Sequence, residues 1–471
     1  MSILTTRRDF LAWSAAALAP AWGSEPLSHQ ATGVKIGEIT PTSVRFWTRR
    51  TASSTRRSYG IRADKEKALV LPLGTDTGKL EGSCPGDPGQ LRLVVRNQTG
   101  KEVKATEWQE ARAGSDFTCQ FAVNGLTPGT AYKYMVEARN SKKMDGALSG
   151  VFRTAPPEDS LSTVNIAMLS CQKYSQRDNA RGFLIYDAIA RMAPHALLSV
   201  GDNVYYDSDD PKVNSTSVAR HHWHRMYSQP ALVDCLRRVP GYWLKDDHDC
   251  YSDDCWPGYA NEAMKPFTFE EGLKLFPEQA PLGAEPYRRF RWGRGLEIFL
   301  LEGRDYRSAN PAPDGPGKTL WGAKQKQWLL DGLNKSEARW KLIVSPGPLI
   351  GPDRRNKHDN HSNDAFTTEG REFRQWLAAN SRVTDTVWVN GDRHWQYHSV
   401  DPETKVNEFC CGAASDSHAS GTPGEDPKIH RFHRVKGGFL AIQVRASGAK
   451  SELIIEHRDV NGARVYGQTF S

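Results

Sequence analysis

The sequence predicts an α/β chain in two units, a β-sandwich over residues 31–157 and an α/β core over residues 160–471, and three observations lead there. At 471 residues the chain is about three times a typical domain length, so more than one domain is expected. Its 40 Gly and 27 Pro mark many tight connections rather than long helices. The hydrophobic rhythm also changes near Ser160, from short period-two segments to strands alternating with helices. Apolar residues at 38% and charged residues at 25% exclude a disordered chain or a coiled coil.

Ahead of both units, residues 1–25 read as an export signal. Arg7-Arg8 precede Phe10-Leu11, a short apolar stretch to Leu18, and the small-residue ending Ala19-Pro20-Ala21. Paired arginines in this setting resemble the twin-arginine signal, so the chain is expected to use that export machinery and to reach the periplasm or the exterior, beginning near Trp22. That route carries folded proteins, which suits a protein loaded with metal before export. No later segment approaches the ~18 consecutive apolar residues of a membrane helix.

Within the first unit, 34–39, 43–48, 91–95, 117–123, 131–138 and 150–153 read as strands. Leu126-Thr127-Pro128-Gly129-Thr130-Ala131-Tyr132 resembles a tyrosine corner, in which a strand-opening phenol returns to the preceding backbone; this predicts a fibronectin-III-like β-sandwich. In the second unit the strands are 164–169, 196–200, 242–244, 296–301, 341–344, 387–389, 439–444, 452–457 and 463–469. Helices are expected at 183–192, 218–236, 324–333 and 369–378.

The formal charge of +7 comes from 62 basic and 55 acidic residues scattered along the chain, which argues against a sequence-specific nucleic-acid protein and tolerates anionic substrates. Of eight cysteines, Cys250 and Cys255 are close enough in sequence to bridge in an oxidising compartment, with Cys84 and Cys119 the next pair. None shows zinc-ribbon spacing.

Metal-competent residues follow four apolar strands: Cys171; Asp202 with Tyr205; Asp246, Asp247, His248 and Asp249; and Asp392 with His394. Strand carboxyl ends are where α/β folds gather their ligands. Three carboxylates packed beside an imidazole repel one another unless a cation is present. Thiolate, phenolate, carboxylate and imidazole together suit a hard, high-valent metal such as Fe(III) beside an oxygen-preferring divalent ion.

Ser170-Cys171-Gln172, Gly201-Asp202-x-x-Tyr205, Asp246-Asp247-His248-Asp249, Arg304-Asp305-Tyr306-Arg307 and Gly391-Asp392-x-His394 resemble the successive motifs of the PhoD-type alkaline phosphatase D family of calcineurin-like metallophosphoesterases. The resemblance implies a four-layer α-β-β-α metallophosphoesterase core behind the N-terminal sandwich. It also implies Fe(III) held by Cys171, Asp202 and Tyr205, with Asp202 bridging, and Ca(II) held by Asp247 and Asp392. His394 would serve one metal or the other. Cys250 and Cys255 depart from the pattern, and Glu302 stands where the family more often has Asp.

Two metals would neutralise phosphate oxygens and lower the pKa of a coordinated water for in-line attack. His248 is placed to protonate the leaving oxygen, and Arg304 to clamp phosphate with its planar fork. The expected activity is that of an exported phosphoesterase acting on phosphomonoesters or phosphodiesters, small-molecule or lipid. A phospholipase-D-like diesterase and an inactive exported binding protein are the alternatives.

Overall fold

The structure, a computed structural model, describes residues 28–62 and 69–471. The expected export signal lies outside the described residues. Among the described residues, a nine-stranded sheet runs in the order Arg464–Phe470, Lys450–Asp459, Gly438–Ser447, Val164–Leu169, Ala196–Val200, Gly241–Leu244, Val34–Gly37, Ser43–Arg49, Thr118–Asn124. A seven-stranded sheet faces it, in the order Arg288–Trp292, Leu296–Leu300, Trp340–Ser345, Thr386–Asn390, Asn407–Cys411, Gln396–Val400, His430–Arg434.

Alternation of side chains along the strands sorts the chain into layers. Ile166, Met168, Leu198 and Val200 meet Ile298, Leu342, Val344 and Val389 between the two sheets. Their sequence neighbours Ala167, Leu169 and Leu197 point outward, against Ile185, Ile189, Met226 and Leu232 of the helices. Ile343 and Trp388 point outward from the other sheet, against Leu329, Leu333, Phe373 and Leu377. Each Val, Leu, Ile, Phe or Met among them, fully buried, contributes about 1.5–3 kcal/mol. The stack is helix, sheet, sheet, helix: a mixed α/β fold.

The N-terminal strands do not form a detached unit. Gly37 pairs in parallel with Gly241, so Val34–Gly37, Ser43–Arg49 and Thr118–Asn124 form the margin of the large sheet. Across them lies a five-stranded sheet, Glu102–Ala105, Gly89–Arg96, Ala131–Asn140 and Lys143–Arg153, with Gln109–Ala111 pairing onto Gly89–Arg96. Phe46 packs between the layers, 4.8 Å from the Tyr134 ring and 5.4 Å from that of Phe152. The Tyr132 hydroxyl accepts from the Thr127 amide at 2.9 Å, the return contact that the Leu126–Tyr132 spacing predicts.

The helix expected over 218–236 is two helices, Thr216–Tyr227 and Pro230–Leu236. Pro230 has no N–H to continue the first helix, yet its fixed φ suits the first turn of a new one. Helix Phe269–Gln279 contains Pro277 near its C-terminal end and opens on a reciprocal capping box between Thr268 and Glu271.

Candidate metal centre

Four turns at strand ends converge. Cys171 follows Val164–Leu169 and Asp202 follows Ala196–Val200, on adjacent strands. Asp247 follows Gly241–Leu244, the next strand along. Asp392 and His394 follow Thr386–Asn390 in the facing sheet. The sheet ends meet closely: a Cβ on Gly391 would stand 2.3 Å from Ser170 Oγ, and one on Gly201, where φ is +75°, would stand 2.6 Å from Asp246 Cβ. Only glycine fits either place. Cys171, Asp202 and Asp392 adopt φ of 55°, 52° and 60°. For non-glycine residues this left-handed region costs about 1–3 kcal/mol each, and here it turns three side chains back toward one point.

Asp202 is the hub. Its Oδ2 accepts from the Cys171 thiol at 3.3 Å and from the Tyr205 hydroxyl at 3.0 Å, while its buried Oδ1 has no hydrogen-bond partner. Ligand atoms of Cys171, Asp202 and His394 lie within 4.8 Å of one another, as do those of Asp202, Asp247 and His248. Asp202 therefore belongs to both groups, and the geometry sets His394 with the thiol rather than with Asp247.

The electrostatics of this point are unbalanced. Burial, followed by the neighbouring carboxylate, pushes the Cys171 thiol and the Tyr205 phenol well above their ordinary values. Burial and the nearby Asp247, Asp246 and Asp249 push Asp202 up too, although His248 opposes them. His394 is pushed well down by burial, then by His418 and Arg393, which favours the neutral imidazole and leaves one ring nitrogen's lone pair for a metal. A cation bound among these groups reverses all three acid shifts at once. The donor set and the orphaned Asp202 oxygen thus fit a metal.

Tyr205 and its neighbour part ways: Tyr206 turns into the helical layer and accepts from the Trp223 indole at 2.6 Å. Asp247 receives the Asp254 amide at 2.6 Å and lies 3.8 Å from the Arg304 guanidinium. Asp392 donates its amide to Ser170 Oγ at 3.4 Å, and its carboxylate is paired with Arg393. His248 Nδ1 donates to Asp207 Oδ1 at 2.7 Å. Burial disfavours the imidazolium, but Asp207, Asp247 and Asp202 together hold His248 above its ordinary value.

Arg304, expected to clamp phosphate, is buried and partly engaged by the protein: its Nε donates to Asp246 Oδ1 at 2.5 Å and one terminal nitrogen to the Cys255 carbonyl at 3.1 Å, while it lines a cavity with Asp246 and Asp392. It offsets part of the repulsion in the acidic motif that the sequence left to a cation. Cys250 and Cys255 are unbridged, as are all eight cysteines. Their thiols donate to the carbonyls of Asp246 and Asp247, at 2.7 and 3.6 Å, around the single helical turn Asp247–Cys250.

Several residues of the site escaped the sequence reading. Asp207 orients His248, and Asp253 and Asp254 form a third carboxylate group with Asp247. Asp249, a metal-ligand candidate in the sequence, instead ties two motifs together by accepting from the Asp246 and Val204 amides, both at 3.0 Å. His418 donates from Nδ1 to the Cys171 carbonyl at 3.0 Å and lies 3.9 Å, ring to ring, from His394. Only the Asp246–Asp249 capping pair had a local signal, acidic residues three apart; Asp253 and Asp254 follow it in the same segment, and Asp207 and His418 arrive from distant loops.

The chain is similar to known proteins. The profile of the PhoD-like phosphatase family matches residues 166–437, and that of the PhoD-like phosphatase N-terminal domain matches residues 15–156. Alkaline phosphatase D of Bacillus subtilis (strain 168) is 24% identical over 371 residues, which span 69% of this chain and 56% of that protein. The match thus covers little more than half of that relative's length. A solved structure described as that of PhoD superposes with a TM-score of 0.70 at 17% identity, over 96% of this chain and 90% of that one. A purple acid phosphatase from yellow lupin (Lupinus luteus) seeds gives a TM-score of 0.63 at 10% identity, over 95% and 75%. With its family profile matched across more than half its length, the chain belongs to the PhoD-like phosphatase family.

Proposed function

We propose that this protein is a metal-dependent phosphoesterase, exported by the twin-arginine route, that hydrolyses phosphomonoesters, phosphodiesters or both. The observation that carries the reading is Asp202: a buried carboxylate shared between two ligand groups, with one oxygen unpartnered. In this reading Cys171, Asp202, Tyr205 and His394 hold Fe(III). Asp247 and Asp392 would hold Ca(II), Asp202 belonging to both ligand groups, and the N-terminal layers are a fibronectin-III-like sandwich. The names of the two relatives, an alkaline phosphatase and a purple acid phosphatase, agree with this chemistry.

Bound there, the metal pair supplies Lewis acidity for phosphate oxygens and for an attacking water. The protein's own part is positional and protonic. Asp207 holds His248 by Nδ1, which leaves Nε2 facing the exposed Asp253 side, where it donates a proton to the departing oxygen. Asp249 and Asn203 lock the turns carrying Asp202 and Asp247, so the two carboxylates keep their spacing.

The test is hydrolysis of p-nitrophenyl phosphate and bis(p-nitrophenyl) phosphate by metal-loaded full-length protein. At least one ester is expected to turn over, with loss on chelation and recovery on reloading. Full metal occupancy without hydrolysis of either would overturn the proposal in favour of a binding protein.

A further inference from the structure

Arg304 is partly engaged by Asp246 and the Cys255 carbonyl, and the turn that carries Cys171 supplies a second cation to the site. Gln172 is buried, its amide donating to the Asn203 carbonyl at 3.0 Å and accepting from the Tyr186 hydroxyl at 2.5 Å. The amides of Tyr174 and Ser175 donate to the two oxygens of Asp209, at 2.8 and 3.1 Å. Lys173 is thus held from both sides on a fixed backbone.

Its half-buried side chain points the other way, over the Tyr205 ring, with Nζ 5.6 Å from the ring centre. Among the described residues no carboxylate pairs with this ammonium, although most buried or half-buried cations near the centre have one: Lys245 with Glu302 and Asp305, Lys357 with Asp253 and Asp254, Arg393 with Asp353. The charge of Lys173 is felt by His418 on the same side of the site. An unpaired ammonium on a rigid turn, over a proposed metal ligand, is arranged to meet an anion.

We infer that Lys173 is the substrate-binding cation of this site, donating to a non-bridging oxygen of the phosphate group. The inference rests on the phosphoesterase reading and adds the group that anchors the substrate. Lys173 contributes chiefly to binding of the tetrahedral anion, in substrate and product alike, so KM and product inhibition should move more than kcat.

Calorimetric titration of metal-loaded full-length protein with inorganic phosphate tests it, beside Lys173→Met and Lys173→Arg, with metal content measured on each. A hydrogen bond to a charged group is worth about 1.5–3 kcal/mol, so Lys173→Met is expected to weaken phosphate binding about tenfold or more. Its KM for p-nitrophenyl phosphate should rise in parallel and its metal content stay intact. Lys173→Arg, which keeps the charge, should stay within about threefold of wild type. Wild-type affinity in Lys173→Met overturns the assignment, and so does loss of metal in that variant, because Lys173 would then be part of the scaffold. Failure of metal-loaded wild type to bind phosphate or to cleave either ester overturns the phosphoesterase reading itself, and Lys173 with it.

Discussion

Asp116, where the N-terminal strands meet the helices, and Asp202, where the strand ends converge, are both buried carboxylates with φ near +50°. Asp116 is met by the protein on every side: by Arg49 at 3.2 Å, by the Gln279 amide at 2.8 Å and by the His224 imidazole. Burial would raise it, but these partners hold it well below the usual carboxylate range. Among the described residues Asp202 is met only by a thiol and a phenol, and it is pushed up. Burial and backbone strain are therefore shared by a structural joint and a reactive centre. The partner set distinguishes them, and at Asp202 it is incomplete without a cation.

Asp202→Asn should break the contrast most. Losing a shared ligand forfeits several kcal/mol of transition-state stabilisation, about a thousandfold in kcat/KM, while the chelated protein should be no less stable than chelated wild type. Elemental analysis and thermal melting check both halves. Asp116→Asn should do the reverse. Leaving Arg49 buried without its charge partner costs about 3 kcal/mol or more of stability, with metal content unchanged.

The joint should also respond to acid. His224 is pushed down to about 4 by burial and then by Arg49, so the unfolded chain takes up its proton first. Its contribution is present above the ordinary imidazole value and fades as pH falls from about 6.5 toward 4. Asp116, depressed in the folded state, adds the same sign of loss below about pH 4. Melting temperature measured from pH 7 to pH 4 should fall less in His224→Gln than in wild type.

A smaller effect is expected at His418, which holds the strained Cys171 turn through its carbonyl and packs on His394. His418→Ala should weaken metal retention about 10–100-fold in chelator competition. His418→Asn, with an amide N–H to offer Cys171, should recover part of it.

Strand ends carrying Cys171, Asp202, Asp247 and Asp392 were visible in the sequence, because each is an apolar run stopped by a metal-competent residue. The Tyr132 corner was visible because its contact spans five residues. What stayed hidden depended on distance along the chain. The parallel pairing of Gly37 with Gly241, the Asp207–His248 contact and the arrival of His418 at Cys171 leave no local pattern. Strands Gln396–Val400, Asn407–Cys411 and His430–Arg434 were missed for a related reason: polar residues such as Glu408 break their apolar pattern. Glu408 is buried all the same, receiving the amides of Leu349, Ile350 and Gly351 and the Tyr397 hydroxyl. The contact of Arg304 with Asp246 was also hidden, because its residue type suits phosphate as well as it suits a carboxylate.

The central claim is that Asp202, Cys171 and Tyr205 together hold a highly charged metal, and the colour of the protein tests it most directly. A phenol ordinarily ionises near pH 10, and burial and Asp202 push Tyr205 higher still, so only such an ion makes it a phenolate near neutrality. Visible absorption of purified wild type, measured with its iron content, should show a tyrosinate-to-iron band. Tyr205→Phe should abolish that band and lower activity, whereas Tyr206→Phe, whose hydroxyl meets the Trp223 indole instead, should keep it. A colourless, iron-free wild-type enzyme with full activity would contradict the claim.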